Sequence, residues 1–192
     1  MPFDPAQVYQ PEADTFLLLN AALQELRPAD RVLEIGTGSG LIASRLDRAA
    51  YVVATDINPH AVRSARECGA EVIRTDLFAG IRGTFDIILF NPPYLPTQPD
   101  ERIDDWLEYA LDGGETGRET IDRFARDAGR VLAREGRILL LISELTGVDE
   151  TADMFSRQGY SCRTVAETDA EGEMLYVLKC TRQSNELAGR DP

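Results

Sequence analysis

Short apolar runs alternate with segments of helical character along most of this chain of 192 residues. Five runs have the length of a buried strand: residues 32–35, 51–55, 71–74, 85–90 and 138–143. Helical spacing or helix caps mark the segments between them, as where Asn58 precedes Pro59. Because parallel strands need a crossover connection, this alternation predicts an α/β fold with a doubly wound sheet.

The end of the chain shows a different pattern. Residues 161–167 and 174–179 have strand composition and flank a turn from Thr168 to Gly172, which predicts a hairpin. We therefore expect a Rossmann-like sheet of seven strands, mostly parallel, with one antiparallel strand from the C-terminal hairpin. Residues 1–182 are predicted to form a single domain with residues 1–30 as a helical lead-in, and residues 183–192 a flexible tail.

The charge of the chain is strongly acidic. The formal net charge is −13, and Lys179 is the single lysine among 20 basic residues. Such a composition favours either a salt-rich cytosol, as in a halophilic archaeon, or a GC-rich genome that prefers arginine. It disfavours direct binding of nucleic acid, whose phosphates need cationic partners. No apolar run reaches membrane-spanning length and no leader is evident, so we expect a cytoplasmic protein without membrane contact.

Residue types that bind metals or form disulfides are few. Cys68, Cys162 and Cys180 are odd in number and widely spaced, which fits neither a disulfide framework nor a metal site. We expect reduced thiols that fill the core. With His60 as the one histidine, no metal site is predicted.

Four predicted strands each have a polar residue at or just after the carboxyl end. These residues are Glu34, Asp56, Asp76 and Asn91. In an open α/β sheet, ligands bind beyond the carboxyl ends of the strands. The four side chains therefore predict a binding site at that rim.

A glycine-rich loop follows the first strand. Its pattern, Gly36-x-Gly38-x-Gly40, differs from the dinucleotide spacing G-x-G-x-x-G, which serves a pyrophosphate at a helix N-terminus. S-adenosylmethionine has no phosphate and needs only a sharply bent backbone close by, which glycine permits. A carboxylate at Asp56 suits ribose hydroxyls, and one at Asp76 suits an adenine amino group. The loop therefore predicts S-adenosylmethionine as the cofactor.

The tetrapeptide Asn91-Pro92-Pro93-Tyr94 follows the fourth strand. An amide nitrogen is a poor nucleophile because its lone pair is delocalised, so a catalyst must hold the N–H₂ group with two acceptors and align it. The Asn91 side chain and the Pro92 backbone each supply a carbonyl oxygen, and the prolines stiffen the turn. Tyr94 offers a ring for stacking. We predict that these four residues carry catalysis of methyl transfer to nitrogen.

At these positions the chain resembles class I S-adenosylmethionine-dependent methyltransferases of the N-P-P-Y type. Two further segments narrow the resemblance. Tyr9-Gln10-Pro11-Glu12-Ala13-Asp14-Thr15 is similar to the Y-x-P-x-x-D-T signature of HemK-like release-factor glutamine methyltransferases, in their short archaeal and eukaryotic branch. Residues 110–118 resemble the glycine-rich segment of the same family.

The resemblance implies N5-methylation of the glutamine in the Gly-Gly-Gln tripeptide of a peptide chain release factor. Asn91 would bind the glutamine amide, in a pocket that Pro92 to Tyr94 shape. Short-branch enzymes use a small zinc-binding activator subunit, which implies a partner on the edge strand near Glu71 and Thr75. The full predicted cofactor-binding set is Thr15, Glu34, Gly36, Thr37, Gly38, Asp56, Ile57, Asp76, Leu77 and Asn91.

Two other functions stay open from the residues alone. An adenine-N6 methyltransferase on DNA or RNA would present the same planar N–H₂ group to the tetrapeptide, although the sequence has no basic stripe. A catalytically silent protein that only binds the cofactor is the second, although such a protein has no need of an amide-holding tetrapeptide.

Overall fold

The computed structural model describes residues 3–98 and 105–183. Their strands are β1 (Arg31–Ile35), β2 (Tyr51–Asp56), β3 (Val72–Arg74), β4 (Phe85–Phe90), β5 (Leu132–Ser143), β6 (Tyr160–Ala170) and β7 (Glu173–Arg182). They form one seven-stranded sheet in the order β3-β2-β1-β4-β5-β7-β6. Every neighbouring pair is parallel except the two that contain β7. The predicted mostly parallel sheet with one antiparallel hairpin strand is confirmed.

Helices connect most of these strands. Within the same residues the α-helices are α1 (Ala13–Glu25), α2 (Leu41–Arg45), α3 (Pro59–Glu67), α4 (Glu119–Ala128) and α5 (Val148–Arg157). Short 3-10 helices cover Pro5–Gln7, Glu108–Ala110 and Glu144–Thr146. The start of α3 follows the predicted cap, because the Asn58 side chain accepts the backbone N–H of His60 at 2.8 Å.

Alternate residues of the central strand pack on opposite faces of the sheet. Ile88 of β4 belongs to the core cluster that contains Phe124 of α4. Leu89 belongs to the cluster on the other face, with Leu18 of α1. Both faces of β4 are therefore covered, which explains why this strand is apolar nearly throughout.

The start of one strand differs from the prediction. Strand β5 begins at Leu132 and not at residue 138. Its first part is charged and exposed, and a β-bulge separates the pairings of Phe85 and Ile87 with β5, so the apolar pattern starts late.

The cysteines also differ from the prediction of three reduced, core-filling thiols. Cys162 of β6 lies directly opposite Cys180 of β7, and a disulfide joins them. The hairpin brings together two residues 18 apart in the chain, which neither the odd count nor the spacing revealed. Cys180 is fully buried in the core as expected, whereas Cys68 is an exposed free thiol.

The two ends of the sheet and of the chain complete the fold. Among the strands of residues 3–98 and 105–183, β3 pairs only with β2, at the predicted edge, and its Ile73 is 46% exposed. Of the predicted tail, Gln183 donates its backbone N–H to the carbonyl of Gly159 at 2.8 Å, and residues 184–192 lie outside the described part. None of the helices described is long and apolar enough to cross a bilayer.

Candidate active site

A cavity of about 1030 Å³ opens at the carboxyl ends of β1, β2 and β4. All thirteen residues that the sequence suggested for catalysis or cofactor binding line it. They are Thr15, Glu34, Gly36, Thr37, Gly38, Asp56, Ile57, Asp76, Leu77, Asn91, Pro92, Pro93 and Tyr94. The fold therefore brings residues as far apart in the chain as Thr15 and Tyr94 to one rim of the sheet.

The loop after β1 bends around a buried carboxyl group. Gly36 and Gly38 have φ of 66° and 55°, which a side chain would strain. Glu34 is 3% exposed, and its Oε2 accepts the Thr37 hydroxyl at 2.8 Å and the Ala43 N–H at 3.0 Å. Burial raises the pKa of Glu34 to about 8, and the nearby Asp56 adds to the rise. The group is therefore mostly protonated at neutral pH.

Asp56 ties this loop to the end of β2. Its carboxylate accepts the N–H of Gly38 at 2.9 Å and the N–H of Asn58 at 2.8 Å. Burial raises the pKa of Asp56, and these backbone hydrogen bonds oppose the rise. Because a carboxylate offers about four acceptor sites, Asp56 can also accept from ligand hydroxyls.

The wall beyond β3 contains one residue that the sequence analysis missed. Asp76 forms an ion pair with Arg123 of α4, and both side chains are about half exposed. Leu77 has φ of 45°, uncommon for a residue other than glycine, and packs against the core as well as lining the cavity. Nothing in the sequence linked Arg123 to Asp76, which lies 47 positions away.

The tetrapeptide follows β4 and carries an unpaired acceptor. The Asn91 amide nitrogen, Nδ2, donates to Oδ2 of Asp14 at 2.9 Å. The Asn91 Oδ1 is buried without a hydrogen-bond partner. A buried carbonyl oxygen left unpaired costs about 1–3 kcal/mol, so this atom is placed to receive a donor.

Asp14 is the second residue that the predicted site omitted, although it belongs to the Tyr9-to-Thr15 signature. It is 3% exposed and accepts from the Thr15 N–H and hydroxyl and from the Tyr9 hydroxyl at 3.1 Å. Burial, followed by the Asp14 charge, raises the pKa of Tyr9, which keeps this hydroxyl a donor. The sequence did contain a signal for Asp14, because this acidic residue directly precedes Thr15, which was predicted to bind the cofactor.

The glycine-rich segment holds the chain that follows the tetrapeptide. Leu95 donates to the Leu111 carbonyl at 3.1 Å, and Gly113 donates back to Leu95 at 2.9 Å. A Cβ on Gly117 would collide with the Tyr94 carbonyl oxygen. Glycine is therefore required here by close approach of two backbones, which accounts for the composition of residues 110–118.

Three further residues line the cavity. Glu108 and Glu173 line the cavity, and Oε1 of each is buried without a hydrogen-bond partner. Trp106 also lines it, and the Arg74 guanidinium of β3 lies 5.5 Å from the centre of its ring. Arg74 further donates to the carbonyl of Ile57 at 3.1 Å. Among residues 3–98 and 105–183, no three His, Cys, Asp or Glu side chains are arranged to hold a metal.

Known proteins are similar to this chain in sequence and in fold. The family model described as the methyltransferase small domain matches residues 12–104. A Methanocaldococcus jannaschii protein of the N5-glutamine methyltransferase type is 40% identical over 184 residues, with 92% of each chain covered. The human methyltransferase HEMK2 is 34% identical, with 92% of this chain and 91% of HEMK2 covered.

A solved structure is also similar to this chain in both sequence and fold. It is the E. cuniculi Mtq2-Trm112 complex, described as responsible for methylation of the eRF1 translation termination factor. Its matching chain is 35% identical with a TM-score of 0.77, and the match covers 93% of this chain and 99% of that one.

Similarity of this extent, on one fold, identifies the class of cofactor as well as the family. S-adenosylmethionine fits the residues present, since the bent glycine loop gives close backbone access and Asp56 keeps free acceptor sites. The protein is an S-adenosylmethionine-dependent methyltransferase. Within that class, the chain belongs to the HemK-like protein N5-glutamine methyltransferase family.

Proposed function

We propose that this protein methylates N5 of the glutamine in the Gly-Gly-Gln tripeptide of a peptide chain release factor. The observation that carries the proposal is the Asn91 Oδ1, a buried acceptor without a hydrogen-bond partner on a residue that lines the cavity. A carboxamide N–H₂ group is a donor that such an oxygen accepts. The names of the relatives and of the Mtq2-Trm112 complex support the substrate class.

The roles of the tetrapeptide follow from this substrate. Asn91 Oδ1 and the Pro92 carbonyl each accept one hydrogen of the amide N–H₂, which directs the nitrogen lone pair. Pro92 and Pro93 restrict the turn, and Tyr94 stacks on the planar amide. No strong general base is required, because an amide nitrogen that gains an alkyl group loses its proton readily.

The cofactor-binding roles are proposed for the remaining residues of the predicted set. When bound, S-adenosylmethionine supplies an electrophilic methyl group. Asp56 would accept the ribose hydroxyls and Asp76 the adenine amino group, with Leu77 packed on the adenine ring. The residues that would line its methionine and ribose parts are Thr15, Glu34, Gly36, Thr37, Gly38 and Ile57.

The test is transfer of label from S-adenosylmethionine to a release factor of the same organism. We expect label on the tripeptide glutamine, located by mass spectrometry, and none on a release factor with that glutamine replaced by alanine. DNA and RNA are offered in parallel reactions. Label in nucleic acid alone would assign the protein to adenine-N6 methylation, and no label from a cofactor-bound protein would favour a silent binding protein.

We also propose that the β3 edge accepts a strand from a small zinc-binding activator. An edge strand offers unpaired backbone groups, and Ile73 exposes its side chain there. The Mtq2-Trm112 complex supports a partner of this kind. Copurification with the small partner should be lost in Ile73→Asp, which places a charge on the edge strand, and kept in Tyr51→Asp, at an equally exposed position of β2.

We further propose that this protein acts in the cytoplasm of a halophilic archaeon. The net charge of −13 and the single lysine support this setting. Salt screens the repulsion among the carboxylates. The midpoint of thermal unfolding should therefore rise when the KCl concentration is increased from about 0.1 M to about 1 M. An unchanged or lower midpoint would contradict it.

A further inference from the structure

The two ends of an asparagine amide have nearly the same shape but opposite hydrogen-bonding character. The oxygen accepts, and the nitrogen donates. The end of Asn91 that faces the cavity therefore decides whether the site receives a donor or an acceptor. In the structure the nitrogen contacts Asp14 and the oxygen is left unpaired.

A carboxylate at position 14 permits only this orientation. Asp14 Oδ2 can accept Asn91 Nδ2, at the observed 2.9 Å. If the amide were turned over, Asn91 Oδ1 would meet Asp14 Oδ2, and two acceptors would face each other without a proton between them. The turned state loses a charge-assisted hydrogen bond and gains repulsion.

Asp14 is itself fixed by its surroundings. Its Oδ1 accepts from both the backbone and the hydroxyl of Thr15, and its Oδ2 accepts from the Tyr9 hydroxyl. It is 3% exposed and lies in the first turn of α1, where the helix dipole stabilises a negative charge. The Asp14 carboxylate is therefore held in one orientation, with Oδ2 directed to the Asn91 amide.

We propose that Asp14 is a positioning residue, which sets the Asn91 amide with its oxygen toward the methyl acceptor and so selects a carboxamide over a carboxylate. The inference rests on the proposed function, since it concerns the same glutamine. It adds that discrimination between glutamine and glutamate depends on a residue 77 positions from Asn91.

The experiment measures binding and not turnover. Protein loaded with S-adenosylhomocysteine is titrated with a Gly-Gly-Gln peptide of a release factor and with its Gly-Gly-Glu counterpart. The wild type should prefer the glutamine peptide. In Asp14→Asn the new side chain can also donate, so Asn91 can turn over, and the preference should fall at least tenfold while S-adenosylhomocysteine affinity stays within twofold.

Asp30→Asn is the matched control. Asp30 is also a buried aspartate, 5% exposed, but it pairs with Arg137 at 2.6 Å and does not line the cavity. This variant should lower stability and leave the peptide preference unchanged. An unchanged preference in Asp14→Asn, or an equal fall in both variants, would overturn the proposal.

A measurement on the wild type covers the case in which Asp14→Asn does not fold. The side-chain amide of Asn91 should give one set of NMR signals, with one proton protected from exchange by Asp14. Rotational averaging or two equal orientations would overturn the proposal. If the wild type binds neither peptide, the proposed function fails, and the NMR result still decides the role of Asp14.

Discussion

The two halves of the cavity differ in how fully their polar groups are paired. In the cofactor half, formed by the ends of β1 and β2, Glu34 and Asp56 each accept two hydrogen bonds from the chain. In the acceptor half, around the tetrapeptide, oxygens of Asn91 and Glu173 are buried without donors. The chain itself therefore pairs the carboxyl groups of the cofactor half, whereas the acceptor half leaves acceptors that a second molecule can pair with.

The largest expected effect lies in the acceptor half. Asn91→Ala removes one of two acceptors for the amide, so kcat/KM for the release factor should fall at least about 30-fold, or about 2 kcal/mol. Binding of S-adenosylmethionine, measured by calorimetry, should persist, with a Kd that rises much less than kcat/KM falls. Retained turnover would refute the role of this side chain, and a parallel loss of cofactor binding would show that the two halves are not independent.

The converse change is made in the cofactor half. Asp56→Ala removes the acceptor of the Gly38 and Asn58 N–H groups and the proposed ribose contact. The Kd of S-adenosylmethionine should rise about tenfold, since a hydrogen bond to a charged group contributes about 1.5–3 kcal/mol. At saturating cofactor, kcat should change much less, and an unchanged Kd would contradict the assignment.

The pH dependence of stability tests the buried carboxyl of the cofactor half. The pKa of Glu34 is about 8 in the fold against a usual 4.5, so the folded state binds more protons between these values. The free energy of unfolding should therefore decrease as pH rises through that window, by at most about 1.4 kcal/mol per pH unit from this group.

Glu34→Gln is the matched control for this slope. The amide is neutral at every pH and keeps the shape of the protonated carboxyl, so thermal unfolding across the window should lose the Glu34 contribution. An identical slope in the wild type and in Glu34→Gln would mean that Glu34 titrates normally.

The smallest expected effect returns to the acceptor half. Glu173→Met removes a buried oxygen that has no donor, so it should stabilise the protein by about 1 kcal/mol, or about 2–4 °C in Tm. The corresponding change in the cofactor half, Asp56→Met, should destabilise it. A loss of stability in Glu173→Met would show that this oxygen is paired in solution.

Local motifs made most of the site predictable. The glycine loop and the tetrapeptide each follow a strand, and the rule for parallel sheets then places Asp56 and Asn91 at one rim. What the sequence could not reveal was pairing between distant segments. Asp14 meets Asn91 across 77 positions and Arg123 meets Asp76 across 47, and neither contact leaves a local pattern.

In the fold, too, local patterns were predictable and pairings between distant segments were not. Apolar runs predicted the central strands because both faces of β4 are covered. The start of β5 was wrong because its exposed charged residues resemble a helix end, and the bond between Cys162 and Cys180 depends on hairpin register. Register depends on how two strands pair, so it cannot be read from the sequence of either strand alone.

Arg74 belongs to two surfaces at once. As part of the edge strand it lies where a partner would dock, and its contacts with Trp106 and Ile57 reach the cavity wall. A strand paired along β3 that shifts Arg74 changes the free energy of ligand binding inside the cavity, and thermodynamic reciprocity requires the converse. Partner titrations with and without S-adenosylmethionine should give affinities whose ratio equals the effect of the partner on the affinity for S-adenosylmethionine.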